Sequence, residues 1–90
     1  MSLLREFKLQ LNEIDNNNYA ENDLIKEYIK VYTTTVDKVS KTHKGKKKSK
    51  IISRLQKHIR KHLKYINISD DNILALNLNG IEYNISKKKD

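Results

Sequence analysis

Residues 38–64 read KVSKTHKGKKKSKIISRLQKHIRKHLK, and the way this stretch divides decides the fold. It holds twelve Lys and Arg and neither Asp nor Glu, in a chain whose net charge is +8. The remaining residues carry seven bases against eleven acids and sum to −4, so the positive charge is concentrated here. The second half of the stretch concentrates it again. With Lys50 at zero and a turn of about 100° per residue, Lys50, Arg54, Lys57, Lys61 and Lys64 fall within about 40° of one line. Ile52, Leu55, Ile59, Leu63 and Ile66 fall on the opposite side. Such a pattern predicts a helix with one apolar face for a core and one cationic face for solvent or a partner.

Toward the N-terminus, Ile25, Tyr28, Ile29, Tyr32, Val36 and Val39 form one stripe of a preceding helix that starts near Asn22 or Asp23. Thr33, Thr34 and Thr35 lower its intrinsic propensity, so tertiary packing has to hold it. Gly45 is the expected C-terminal cap of that helix and Ser49 the expected N-cap of the basic one. A link of His43–Lys48 would then join the two as an antiparallel hairpin. Further upstream, Ser2 is a fair N-cap for a first amphipathic helix carrying Leu3, Leu4, Phe7, Leu11 and Ile14. Asp15-Asn16-Asn17-Asn18 is a polar cluster that favours a turn and ends it.

Downstream, two patterns overlap. Ser69-Asp70-Asp71-Asn72 resembles a helix start and Gly80 a stop, which puts Leu74, Leu78 and Ile81 on one face. Leu74, Leu76, Leu78 and Ile81, Tyr83, Ile85 also alternate about Asn79-Gly80, a good hairpin turn. Residues 1–85 read as a single helical domain, with 86–90 expected to be a frayed basic tail.

Composition narrows the function classes. Ninety residues with 37% hydrophobic content make one small domain near the lower limit for a self-sufficient core. There is no cysteine, which excludes disulfides and thiolate metal sites. No apolar run approaches the roughly 20 residues that span a bilayer. Neither a signal-peptide h-region nor an Arg-rich transit segment precedes the first helical pattern. Lys, Asn and Ile supply 37 of the 90 residues, a bias toward A+T-rich codons. No Gly-rich phosphate loop, zinc spacing or nucleophile motif is present, so neither an enzyme nor a cofactor or small-molecule substrate is expected. His58 and His62, four apart, lack a third ligand and His62 is expected to border the core. Tyr28 and Tyr32 are expected in the core, and Ser49 with His43 has no acid to orient a catalytic pair.

The residues point instead to nucleic acid. Lys and Arg neutralise phosphates and release condensed counterions, a gain that grows with each contact. The aligned bases Lys50, Arg54, Lys57, Lys61 and Lys64 can track a phosphate backbone, and Lys44, Lys46, Lys47 and Lys48 add a cluster at one end. Sixteen Lys against three Arg favours backbone and shape recognition over base reading, which suits folded RNA better than a DNA operator. Tyr65, just beyond the basic run, would stack on a base or cap the core. Ordinary soluble surfaces intersperse both signs of charge, so twelve bases without an acid exceed a merely solvated face. A small DNA-binding regulator with the basic helix in the major groove is the alternative. A membrane-surface helix is disfavoured, because the apolar face lacks Trp and Phe and is needed for the hairpin.

Several of these pieces resemble the small-subunit ribosomal protein fifteen family. LLREF at Leu3–Phe7 is similar to its helix-one pattern, and His43-Lys44 followed by Ser49 is similar to its linker. RKHLKYI at Arg60–Ile66 resembles its basic run, and LNLNGI at Leu76–Ile81 its last helix and terminal motif. The family's entry motif to helix two is replaced here by Asn16–Asp23, its linker Asp by Lys46 and its late helix-two His by Val39. Ser49 and Tyr65 match RNA-contacting positions by type, and His43 matches a linker residue. The resemblance implies an all-α bundle of three to four antiparallel helices with a long helix-two/helix-three hairpin. It also implies a short helix, not a β-hairpin, near the end, and a role as a structural rRNA-binding protein. The expected partners are small-subunit rRNA and neighbouring ribosomal proteins. The expected place is a ribosome, mitochondrial or otherwise bacterial or viral in context. The expected RNA contacts are His43, Lys44, Lys46, Lys47, Lys48, Ser49, Lys50, Arg54, Lys57, Lys61, Lys64 and Tyr65. SKI at Ser49–Ile51 and the Lys57–Asn67 pattern also resemble the large-subunit protein twenty-nine family, over less of the chain.

Overall fold

A computed structural model describes residues 3–64, 66 and 68–81. They form four helices and no strand: α1 (Leu3–Asp15), α2 (Glu21–Thr42), α3 (Gly45–Leu63) and α4 (Asp70–Leu78). None of these helices is long and apolar enough to cross a membrane. The cap at Ser2 and the tail 86–90 lie outside the described residues, as do Tyr83 and Ile85 of the alternating pattern.

Cross-helix contacts give the directions. Tyr28 meets His62 ring edge to face at 5.6 Å, while Gln56 Nε2 donates to the Tyr32 hydroxyl at 3.0 Å. Contacts that rise along α2 therefore fall along α3, and the two are antiparallel. In α1, Phe7 meets Tyr32 at 6.5 Å and Asp15 accepts from Tyr28, so α1 is antiparallel to α2 and runs parallel to α3. The apolar stripes of α1, α2 and α3 turn inward to one core. Phe7, Leu11 and Ile14 come from α1, Ile25, Tyr28, Tyr32 and Val39 from α2, and Leu55, Ile59 and Leu63 from α3. At about 1.5–3 kcal/mol for each fully buried side chain, this burial far outweighs the weak propensity of the Thr33–Thr35 run. Thr35 is buried as well, its hydroxyl donating to Val31 O at 2.8 Å, so it enters the core without an unpaired polar group.

The α2–α3 connection departs from expectation. α2 ends at Thr42, and His43 turns to an extended conformation. Gly45 then opens α3 with φ +64°, where it had been expected to close α2. The link is two residues, His43–Lys44, and Ser49 lies in the second turn of α3 without capping it. Reversing the chain this tightly needs one left-handed residue, and glycine takes that conformation without a Cβ penalty. The start of α2 lies slightly earlier than expected, at Glu21 after the N-cap Ala20, and the Glu21 Oε2 accepts from Ser69 N–H at 2.6 Å and Asn72 Nδ2 at 2.9 Å.

α4 is helical, and its end explains why. Ile81 N–H donates to Leu76 O at 2.9 Å and Gly80 N–H to Asn77 O at 3.1 Å, with Gly80 at φ +88°. This is a Schellman closure, and Leu76 and Ile81 are its buried apolar pair. Leu74 and Leu78, expected to share the inner face with Ile81, are instead 57% and 78% exposed. α4 carries apolar residues on all sides, so periodicity does not select a face. Its docking is set by the Glu21 bonds and by Gly80 O, which accepts from Gln56 Nε2 at 2.8 Å and the Tyr32 hydroxyl at 3.3 Å.

A Cβ at Gly45 would meet nothing within 4 Å, so the demand there is on the backbone alone. Gly45→Ala should lower stability by about 1–2 kcal/mol, read by urea unfolding. A neutral or stabilising result would show that the link does not need the left-handed residue.

Candidate nucleic-acid interface

The apolar seam of α3 fixes the helix's rotation. With Leu55, Ile59 and Leu63 fully buried, Lys50, Arg54, Lys57, Lys61 and Lys64 are all exposed on the opposite side. Fourteen residues separate the first from the last, so at ~1.5 Å per residue the row is about 21 Å long. Among the described residues none of these five is held in an ion pair. Two other bases of the 38–64 stretch are: Lys41 lies 3.4 Å from Asp37 and Lys38 lies 3.9 Å from Glu6. Both pairs lie at the end of α2, apart from the α3 row.

The corner adds to the row. Lys44, Lys46 and Lys47 are exposed, and Lys48 and His43 are half-buried beside them. Because α3 begins at Gly45, Lys46, Lys47 and Lys48 belong to its first turn and Lys44 is its N-cap, without a side-chain cap bond. That helix end carries the positive pole of the backbone dipole and open N–H groups, which favour anions, yet its first turn contains no acid. Ser49 lines a shallow groove with Gly45, Lys46, Lys50 and Ser53. Ser53 was not among the expected contacts. Its spacing of four from Ser49 was the available signal, since that interval puts two hydroxyls on one helix face. Eleven of the twelve expected contact residues thus lie along α3 and its leading corner. Tyr65 lies outside the described residues.

A second polar cluster sits where α1 ends. His62 Nε2 donates to Asp15 Oδ2 at 2.7 Å, and the Tyr28 hydroxyl donates to Asp15 Oδ1. Burial, reinforced by the Asp15 carboxylate, pushes the Tyr28 phenol well above its ordinary range, so it stays a donor. His62 borders the core as expected. His58 packs edge-on against Phe7 at 6.3 Å and stands 6.4 Å from the His62 ring. Burial lowers the His58 pKa first, with Lys8, His62 and Lys61 adding positive charge nearby. No group of three or more His, Cys, Asp or Glu among the described residues is arranged to hold a metal.

No family model, curated protein or solved structure matches the chain. The interface therefore rests on its own geometry.

A His whose pKa is lowered by folding opposes its own protonation. The stability tied to His58 is fully present above the unfolded value of about 6.5 and is lost as pH falls from there through the lowered folded value. His58→Phe should therefore gain Tm over wild type as the pH goes from 7.5 to 5.5, because the Asp15–His62 contact remains in both proteins. A gap independent of pH would remove His58 as the titrating group.

Proposed function

We propose that this chain binds folded RNA by its phosphate backbone, through the outward face of α3 and the α2–α3 corner, as a structural rRNA-binding protein of the small ribosomal subunit. The observation that carries the reading is the row of five exposed bases opposite a fully buried seam. A face so oriented holds its charges at a fixed spacing on a rigid element, which suits a folded polyanion. Lysine predominates in it, and lysine meets phosphate as a point charge with little demand on base identity. The corner supports the same reading, since its helix end attracts anions and is ringed by ammonium groups.

The ribosomal part of the proposal rests on the motifs at Leu3–Phe7, Arg60–Ile66 and Leu76–Ile81. The order of four helices agrees with what that resemblance implies, whereas the two-residue link is shorter than the His43–Lys48 linker it implies. Neighbouring ribosomal proteins would then be further partners, and a ribosome, mitochondrial in the first instance, the place of action. The row does not depend on that attribution.

Changing Lys50, Arg54, Lys57 and Lys61 together to Ala should weaken binding to a structured RNA and flatten its salt dependence. Each lost phosphate contact removes about 0.7–0.9 from the slope of log K against log salt. An unchanged slope would eliminate the phosphate row. Preference for duplex DNA over structured RNA at equal salt would favour the DNA-binding alternative, and co-sedimentation with a small ribosomal subunit would support the ribosomal assignment.

A further inference from the structure

At the end of α3 away from the corner, the molecule has an open pocket of about 420 Å³ whose lining the phosphate row does not use. This lies in the range of about 300–1,000 Å³ that small-ligand sites occupy. Leu24 and Ile66 supply apolar walls, and Tyr28, His62 and Asp15 line it with the cluster described above. Asn18 and Tyr19 complete it from the turn after α1, where Asn18 adopts a left-handed φ of 54°.

The chemistry of the pocket is specific. Asp15 accepts one hydrogen bond at each carboxylate oxygen, from Tyr28 and from His62, and those bonds hold it in place. A carboxylate offers about four lone-pair sites, so about two remain. Its side chain is 43% exposed and lines the pocket. Tyr19 is a large aromatic left 40% exposed beside it, a surface on which a flat ring can stack. The site thus joins an oriented acceptor, an aromatic face, an amide and dry walls. Unstacked RNA bases are recognised by such a combination of stacking and edge hydrogen bonds.

The position connects it to RNA. Lys61 and Lys64 of the basic row stand one and two residues from His62, at the end of α3 that carries the opening but about 100° or more around the helix from it, so the base of a nucleotide whose phosphate lies on the row turns round the helix edge to reach the pocket. An acceptor-only carboxylate selects for adjacent donors. Guanine presents N1–H and N2–H side by side, adenine and cytosine offer an amino group next to a ring acceptor, and uracil sets its imide N–H between two carbonyls. Resting on the RNA-binding reading above, we propose that this pocket holds an unpaired guanine of the bound RNA, with Asp15 accepting from its Watson–Crick edge and Tyr19 against its ring.

Two measurements on the full chain test this. In the first, RNA hairpins differing only in one unpaired loop base are bound at fixed salt. The guanine hairpin should bind about tenfold more tightly than the adenine, cytosine and uracil versions. Tyr19→Ala should abolish most of that preference while leaving the salt slope unchanged, and Asp15→Asn should erase discrimination between guanine and adenine, with its fold checked by circular dichroism. Equal affinity for all four hairpins, or a Tyr19→Ala variant that keeps the preference, would overturn the proposal. In the second, GMP, AMP, CMP and UMP are titrated while the backbone amide NMR signals of Asn18, Tyr19 and His62 are followed. Selective shifts with GMP support the guanine pocket even if the basic row binds no RNA, and their absence for every nucleotide overturns it. GMP shifts without any hairpin preference would assign the pocket to a free guanine nucleotide and overturn its role in RNA.

Discussion

The burial of Leu55, Ile59 and Leu63 is the interaction on which the rest of the molecule depends. α3 carries eight Lys and Arg and no acid between Gly45 and Leu63. Its like-charge neighbours four apart, such as Lys46 with Lys50, Lys50 with Arg54 and Lys57 with Lys61, each cost about 0.2–0.5 kcal/mol. Alone, such a helix would be marginal in water. Each of the three seam residues, fully buried, contributes about 1.5–3 kcal/mol, so the seam outweighs the repulsion several times over. The seam also decides where the charge goes. Once those three side chains face Phe7, Tyr28 and Tyr32, a row of bases must face water.

Polar contacts then refine what apolar burial assembles. Asp15 ends α1 and meets Tyr28 of α2 and His62 of α3, so one carboxylate marks the point where three helices converge. Partly exposed polar contacts of this kind add little to stability, and this one matters more for the geometry it imposes. Gly80 O does the same for α4, accepting from Gln56 of α3 and Tyr32 of α2. The pocket beside Asp15 follows from that arrangement, because the turn at Asn16–Asn18 has to pass over the ends of the helices it joins.

How far the sequence reveals these features depends on the range of the forces involved. The seam and the basic row were legible because both arise from one helix's own periodicity, as were the inward faces of α1 and α2. Ser69–Asp71 and Gly80 marked possible ends for α4, but the alternation about Asn79-Gly80 fitted a β-hairpin as well, the helix was favoured only through the family resemblance, and the buried face was not legible at all. Ile73, Leu74, Ala75, Leu76 and Leu78 leave no polar side to point outward, and contacts from Glu21 and Gln56, distant in sequence, choose the face. Gly45 was rightly read as a boundary residue and assigned to the wrong helix. A glycine in a short basic stretch can end one helix or open the next, and only the tightness of the tertiary turn distinguishes them. Thr35 was hidden because its hydroxyl is satisfied within its own helix. The Asp15–Tyr28–His62 cluster was hidden because its members lie up to 47 residues apart and no local pattern links them.

The misread corner also changes what the basic stretch means. A six-residue linker would have left Lys44, Lys46, Lys47 and Lys48 on mobile backbone, free to spread their charge. With α3 starting at Gly45, three of them are fixed in its first turn, against the positive end of the helix dipole and with no acid in that turn. That placement is unfavourable for the chain alone, since acids are what stabilise this end of a helix. A bound polyanion reverses its sign, turning each repulsion into attraction and satisfying open N–H groups at once. On the proposed reading, stability and binding are therefore linked through the same turn: whatever phosphate occupies the corner also tightens α3 in the folded state. The seam has enough in reserve to hold the helix while the corner is empty, which is why a fold this small can keep so much of one charge on a single helix.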